Sequence, residues 1–473
     1  MNSRHQTFGP DKLICENVRH KEKNTKIASR FTVISTSFFM IAMAIMDLGP
    51  VFAQEASSDW PGFLGANRDG RSSETGILKD WSDGKLKLAW KKTIGEGYGI
   101  GSVKANQMFQ FDFINGNERL QCLDVNNGNQ VWEFKHPSTY KDTFGFDSGP
   151  RASPIVDGDR VYCLGAEGKL FCVNTKDGKL IWKVDTQKEF GVVQNFFGVG
   201  STPVVAGKNL LVMVGGSPEK DQKLAKGRMA DVSPNGSAIV AFDKLTGKVV
   251  KKFGDDLASY SSIKLTEVSG KKVGYAWCRK GLVAFDVEKL EVNWTFDWRA
   301  RKLESVNAVT PVVDGDLVFL SESYGPGSVV LRNLGDKYEE VWSDAKRRDK
   351  AFKIHWNTPV LHDGMLYASN GESRAELRCV EFKTGKVKWS QPGYARASLT
   401  FVDGHLIVLD EKGKLFLMKP DSEKFQIVTT YSDENDKPLK VTPPCWAGAI
   451  VASGKLFFRS KQHLFCFQLV EAK

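Results

Sequence analysis

The chain is short of the residues that mark redox and hydrolytic chemistry. Among its 473 residues are seven histidines and eight cysteines. No two cysteines are adjacent, and no Cys-x-x-Cys or haem-attachment Cys-x-x-Cys-His occurs. The histidines form no metal-type pair, and no Gly-x-Ser-x-Gly elbow is present. These absences disfavour thiol-redox, haem and elbow-type hydrolytic chemistry. Long apolar runs are also missing. The longest, Phe31–Met46, has 16 residues, short of the roughly 20 that a membrane-spanning helix needs. No low-complexity stretch or linker divides the chain after residue 86.

Residues 1–53 read as an export signal or, left uncleaved, as an N-terminal anchor. Arg19, Lys21, Lys23, Lys26 and Arg30 precede the apolar run, and Val51-Phe52-Ala53 follows as a small-residue cleavage site. The mature chain would then start at Gln54, and the protein is expected in the periplasm or outside the cell. No cysteine follows the run to carry a lipid. The leader holds seven Lys/Arg and four Asp/Glu, so the net charge of +10 falls to +7 without it. Such mild, scattered basicity favours anionic partners and does not argue for nucleic acid.

What is abundant is repetition. Eight times between Tyr98 and Leu469 one pattern recurs, most fully at Gly149–Asp185. There Ser153-Pro154 opens an apolar strand, and an Asp157-Gly158 turn leads to a second. A Gly-containing turn and a third strand follow, and the turn at Asp177-Gly178-Lys179 precedes a strand with Trp182. The entry recurs at Thr202-Pro203, Thr310-Pro311 and Thr358-Pro359, and the later turn at Asn127-Gly128, Thr246-Gly247 and Thr384-Gly385. Glycine takes the positive φ of such turns at little steric cost.

Four short strands per unit, at a period of about 40–50 residues, predict an all-β, eight-bladed β-propeller of four-stranded antiparallel blades. Blades are placed near 98–134, 149–185, 199–253, 258–297, 306–344, 355–391, 395–431 and 444–469. The last lacks a Trp strand, which Leu86–Ile94 supplies from the other end, closing the ring and removing two free edges. The degenerate fourth and seventh units leave seven blades as the alternative count. The domains are thus the leader 1–53, a head segment 54–85 and the propeller 86–473. Cys122, Cys172, Cys379 and Cys466 share one repeat slot with Ala241 and Ala284, which reads as a small buried position rather than a disulfide framework. Cys163 and Cys172, on adjacent strands, are diagonal to each other.

The run Cys172-Val-Asn174-Thr-Lys-Asp-Gly178-Lys-Leu-Ile-Trp182, with Ala241-Phe-Asp243-Lys-Leu-Thr-Gly247-Lys, resembles the pyrroloquinoline-quinone (PQQ)-type propeller repeat. The head, Trp60-Pro-Gly-Phe-Leu-Gly65-Ala-Asn67-Arg-Asp-Gly70-Arg71-Ser72, is similar to the entry segment of quinoprotein-like chains. The resemblance covers about residues 60–469. It implies one of two activities. Quinoprotein dehydrogenases bind PQQ and calcium on the propeller axis. Relatives that keep only the blades bind protein partners, as the lipoprotein subunit of the outer-membrane barrel assembly machinery does. This chain lacks the vicinal cysteines of many dehydrogenases, is shorter than most, and shows no assembled calcium set.

In a propeller the residues just before each innermost strand meet around the axis, on a face where loops carry function. That rule selects Tyr98, Asp147, Arg151, Asn195, Asn307, His355, Trp356, Asn357, Arg396 and Trp446 as candidate ligand-binding residues. Arginine suits carboxylates or phosphates, and the aromatics suit sugars or peptide side chains. Asp147 with Asn195 and Asn307 is the nearest calcium set, and Glu304, Glu322 and Glu372 fall beside the same face. Three loops, Gly216–Asn235, Asp297–Val306 and Asp344–Ile354, add a cationic rim. The reading is an exported, monomeric, non-catalytic binding or assembly module, whose partner is an envelope protein or an anionic ligand, with no cofactor. The alternatives are a PQQ- and calcium-dependent oxidoreductase and a cell-wall or carbohydrate-binding propeller.

Overall fold

The computed structural model describes residues 58–471, except 225 and 372–373. The expected leader and Glu372 lie outside the described residues. Eight four-stranded antiparallel sheets are present, which settles the count. Blades 1 to 7 run Ser102–Pro137, Ile155–Asp185, Val204–Phe253, Lys264–Asp297, Val312–Ser343, Val360–Pro392 and Ser398–Thr430. Blade 8 joins Ile450–Gln468 to the N-terminal strand Leu88–Thr93, so the ring closes as the sequence predicts.

The repeat motif is explained by how blades dock. Trp90, Trp132, Trp182 and Trp342 each lie over the turn glycine of the next blade. A Cβ on Gly128 would stand 2.8 Å from the Trp90 ring, and one on Gly178 would stand 2.6 Å from Trp132. The indole then donates to the carbonyl three residues before that glycine. Trp90 reaches Val125 O at 2.8 Å, Trp132 reaches Thr175 O at 2.8 Å and Trp342 reaches Phe382 O at 2.9 Å. One glycine therefore serves two ends, turning the chain at positive φ and leaving room for the neighbour's ring.

The small-residue slot faces the same Trp from inside the blade. Cys122 pairs with Trp132, Cys172 with Trp182, Cys379 with Trp389, and Ala284 with Trp294. A bulge follows at each pair, re-aiming the ring toward the next blade. All seven described cysteines are free and buried, and burial pushes the Cys122, Cys172 and Cys466 thiols up to about 12.

Around the axis the Ser/Thr of the entry motif links neighbouring blades. Ser153 N donates to Thr202 Oγ1 at 3.2 Å, Thr202 N to Ser262 Oγ at 3.1 Å, and Thr310 N to Thr358 Oγ1 at 3.1 Å. The head segment crosses the opposite end of the axis. Trp60 bridges Val103 of blade 1, Pro61 O accepts from Val156 of blade 2, and Arg71 Nη1 donates to Leu361 O of blade 6 at 2.9 Å. Buried Arg68 donates to Ile263 O at 2.9 Å and also to Pro203 O. Gly70 and Ser72 tie it to Phe401 of blade 7. The head thus spans the ring by main-chain contacts and two arginine side chains, none of which needs a repeat pattern.

Candidate functional site

The entries of the innermost strands surround a cavity of about 360 Å³ on the axis. Its floor is the head, through Trp60, Phe63 and Leu64, and its walls carry Tyr98, Phe146, Phe197, Tyr260, Trp356 and Trp446 among small residues. Ring centroids of Tyr98 and Trp446 lie 5.0 Å apart, and those of Trp356 and Trp446 also 5.0 Å. Phe146 stands 5.8 Å from Trp446 and 5.8 Å from Phe197, which in turn is 5.8 Å from Tyr260. Such tilted and edge-on contacts suit the aromatic quadrupole. Burial pushes the Tyr98 phenol up to about 12, so that ring stays neutral.

Two arginines reach this wall, and both already have carboxylates. Arg151 pairs with the buried side chain of Asp142 at 2.9 Å and lies over the Tyr98 and Tyr140 rings. Arg396 pairs with Glu411 at 2.7 Å, and Trp446 Nε1 donates to the same carboxylate at 3.1 Å. The arginines therefore brace aromatic rings rather than present open charge. Trp60 Nε1, Trp356 Nε1 and Ser153 Oγ border the cavity without a protein partner. An apolar pocket with a few such polar atoms is the usual makeup of a ligand site.

Of the ten residues singled out by the sequence, Tyr98, Arg151, Trp356, Asn357, Arg396 and Trp446 line the cavity. Asn357 is structural in part, donating to Arg396 O at 2.9 Å and Ser398 Oγ at 2.7 Å. The other four do not line it. Asp147 accepts from Gly97 N at 3.3 Å and faces Lys461 at 3.5 Å. Asn195 accepts from Phe196 N, Asn307 donates to Cys278 O and Arg279 O, and His355 meets Ser323 Oγ at 3.1 Å. Phe146, Phe197, Tyr260 and Tyr324 were not singled out. For Phe146 and Phe197 the signal was available in the aromatic run Phe144-Gly-Phe146 and the pair Phe196-Phe197 before the entry of blade 3.

The donor set does not fit a calcium-bound quinone. Calcium takes six to eight oxygens, yet Asp147 and Asn195 spend oxygens on Gly97 N and Phe196 N, which leaves Asn307 Oδ1 as the one oxygen of the three side chains buried without a partner. Among the described residues no group of three or more His, Cys, Asp or Glu is placed to hold a metal ion. The cationic rim is partly retracted as well. Lys350 Nζ donates to Asp344 O and Ala345 O, while Lys346, Arg347 and Arg348 stay exposed.

Comparison with known proteins fits this architecture. The family described as outer membrane protein assembly factor BamB, built of PQQ-type repeats, matches residues 116–426. The chain belongs to that family. BamB from Moraxella catarrhalis superposes with a TM-score of 0.54 at 11% identity, over 82% of this chain and 99% of that one. An uncharacterized protein of Rickettsia prowazekii is 21% identical over 62% of this chain and 65% of its own length. The dehydrogenase subunit of a quinone-type alcohol dehydrogenase from Gluconobacter oxydans is 26% identical over 41% of this chain, but over only 24% of that protein. These likenesses bear on the blades and leave the family's activities open for this chain.

Proposed function

We propose that this chain is a non-catalytic binding propeller of the cell envelope, whose axial mouth takes an apolar or aromatic segment of a partner protein. What carries the reading is the cavity itself. It is walled by aromatic side chains, closed at its floor by the head, and has both arginines committed to carboxylates. Such a pocket rewards burial of apolar surface, at about 25 cal/mol per Å², and offers no assembled acid, base or nucleophile. Phe144 and Phe146 remain 51% and 43% exposed at its mouth, where aromatic residues commonly anchor protein interfaces. The description of the family as an assembly factor and the export signal read from residues 1–53 both support an envelope setting.

The test places a photo-crosslinking amino acid at Phe146 in cells. A discrete protein adduct that disappears with Trp446→Ala is the expected result. In parallel, the purified protein is titrated with PQQ and calcium while its melting point is followed. Binding to the folded state would add about 2.7 kcal/mol at a hundredfold excess over Kd. Such a rise, with no adduct, would replace this reading by the oxidoreductase one.

A further inference from the structure

The corner between blades 4 and 5 holds two guanidiniums without a carboxylate in ion-pair contact. Arg279 lies just past the second strand of blade 4 and is 6% exposed; Arg299 begins the connection to blade 5. Their Nη2 atoms donate to one carbonyl oxygen, that of Leu303, at 3.1 and 2.9 Å, which brings those nitrogens within about 6 Å of each other. Elsewhere in the fold Arg119, Arg151 and Arg396 each have a carboxylate, while buried Arg68 and Arg459 stand apart from other arginines and donate only to carbonyls. The nearby acids Asp256 and Glu322 attract the pair only at longer range, without an ion-pair contact, because their oxygens are spent on other donors. Asp256 accepts the amides of Leu257, Lys280 and Gly281, and Glu322 accepts Ser305 Oγ and Tyr324 N.

Polar atoms are left over at this corner. Arg279 Nη1 and Arg299 Nε are sealed from solvent without a hydrogen-bond partner. Burial, with Arg299 beside it, brings the Arg279 guanidinium down to about 10. Like charges held together with unused donors are costly, and an anion between them would relieve both the repulsion and the orphaned N–H groups. We infer that Arg279 and Arg299 form a site for a small oxyanionic group, a carboxylate or a phosphate, on the mouth face of the propeller. The planar fork of each guanidinium matches the paired oxygens of either group. Neither arginine lines the axial cavity, so this site stands or falls apart from the partner-binding reading.

Acetate or inorganic phosphate is exchanged for chloride at constant ionic strength while the melting point of the purified protein is followed. A saturable rise with at least one of them is expected. Response to acetate assigns a carboxylate, as on an acidic side chain; response to phosphate assigns a phosphate monoester or headgroup. Arg299→Gln should weaken the apparent affinity about tenfold or more, the worth of a charge-assisted hydrogen bond, and Arg279→Gln should abolish the response. Arg301→Gln, at an exposed position two residues on, should leave it intact. Should Arg279→Gln not fold, Arg299→Gln decides alone. A melting point indifferent to both anions, or a rise unchanged in Arg299→Gln, overturns the site and leaves the arginines as ties for the Leu303 carbonyl.

Discussion

Trp90 and Cys466 face each other across the seam where the two ends of the propeller meet. The pair repeats the register of Trp132 with Cys122 and Trp182 with Cys172, although here the partners are 376 positions apart in the chain. The seam is therefore built as an ordinary blade. Trp90 is also the ring that docks blade 8 on blade 1, through Val125 O. Trp90→Ala is expected to cost about 3–5 kcal/mol, as for other buried Trp truncations, read from the denaturant midpoint. Hydrogen exchange in His463–Gln468 should quicken more than in the equivalent strand of blade 2. Equal exchange in both would mean that the seam is not the weak point of the ring.

The dual role of the turn glycines makes a paired prediction. Gly178 and Gly158 share a left-handed backbone, with φ of 71° and 59°, but only Gly178 has a ring over it. Gly158→Ala should lose about 1 kcal/mol, the cost of placing a side chain in that conformation. Gly178→Ala adds overpacking against Trp132 and should lose about 2–4 kcal/mol in all. Urea midpoints of the two variants measure the difference. Equal losses would remove the Trp–Gly contact from the account of blade docking.

Blade number, strand order and ring closure could be read from the chain because their determinants are local. A turn glycine, an alternating strand and a Trp recur within each unit, as at Gly178 and Trp182. The cavity was only half legible. The entry rule chooses a face of the fold, but not whether a given side chain points inward, so it selected Asp147 and Asn307 together with Trp356 and Trp446. It also passed over Phe146, one residue before Asp147, and Tyr260, in the degenerate fourth unit. The floor was not legible at all. Trp60 and Phe63 reach the axis because the head crosses the ring on main-chain hydrogen bonds to Val103, Val156 and Phe401, and such contacts leave no periodic trace.

Asp142 couples the mouth to the core. One of its oxygens accepts the amides of Phe144 and Phe146 at 2.8 and 3.2 Å, and the other accepts from Arg151 at 2.9 Å and Tyr140 OH at 3.2 Å. Asp142→Ala removes both functions and leaves Arg151 buried without a counter-charge, a loss of about 3–5 kcal/mol. Asp142→Asn keeps an acceptor for the loop amides, so exchange at 143–147 should rise less than in the Ala variant. Stability and exchange measured together check this. A loop equally protected in both variants would show that Asp142 does not hold the two phenylalanines in place.

Glu118 gives the fold a pH dependence of definite sign. Its side chain is fully buried in the third strand of blade 1, with one oxygen accepting Ala166 N at 2.7 Å and the other unpartnered. Burial pushes its carboxyl from the ordinary 4.5 up to about 7. Between those values the folded chain holds a proton that the unfolded chain has released. Stability is then full below about pH 4.5 and falls as pH rises toward 7, after which the loss is complete. The shift corresponds to a cost on the order of 3 kcal/mol above neutrality. Glu118→Gln keeps the shape and removes the titration. Relative to the natural chain, it should be about equally stable near pH 4 and more stable by roughly that amount at pH 8. Denaturant midpoints across this range measure the gap, and an offset that does not change with pH would mean that Glu118 keeps its charge inside the fold.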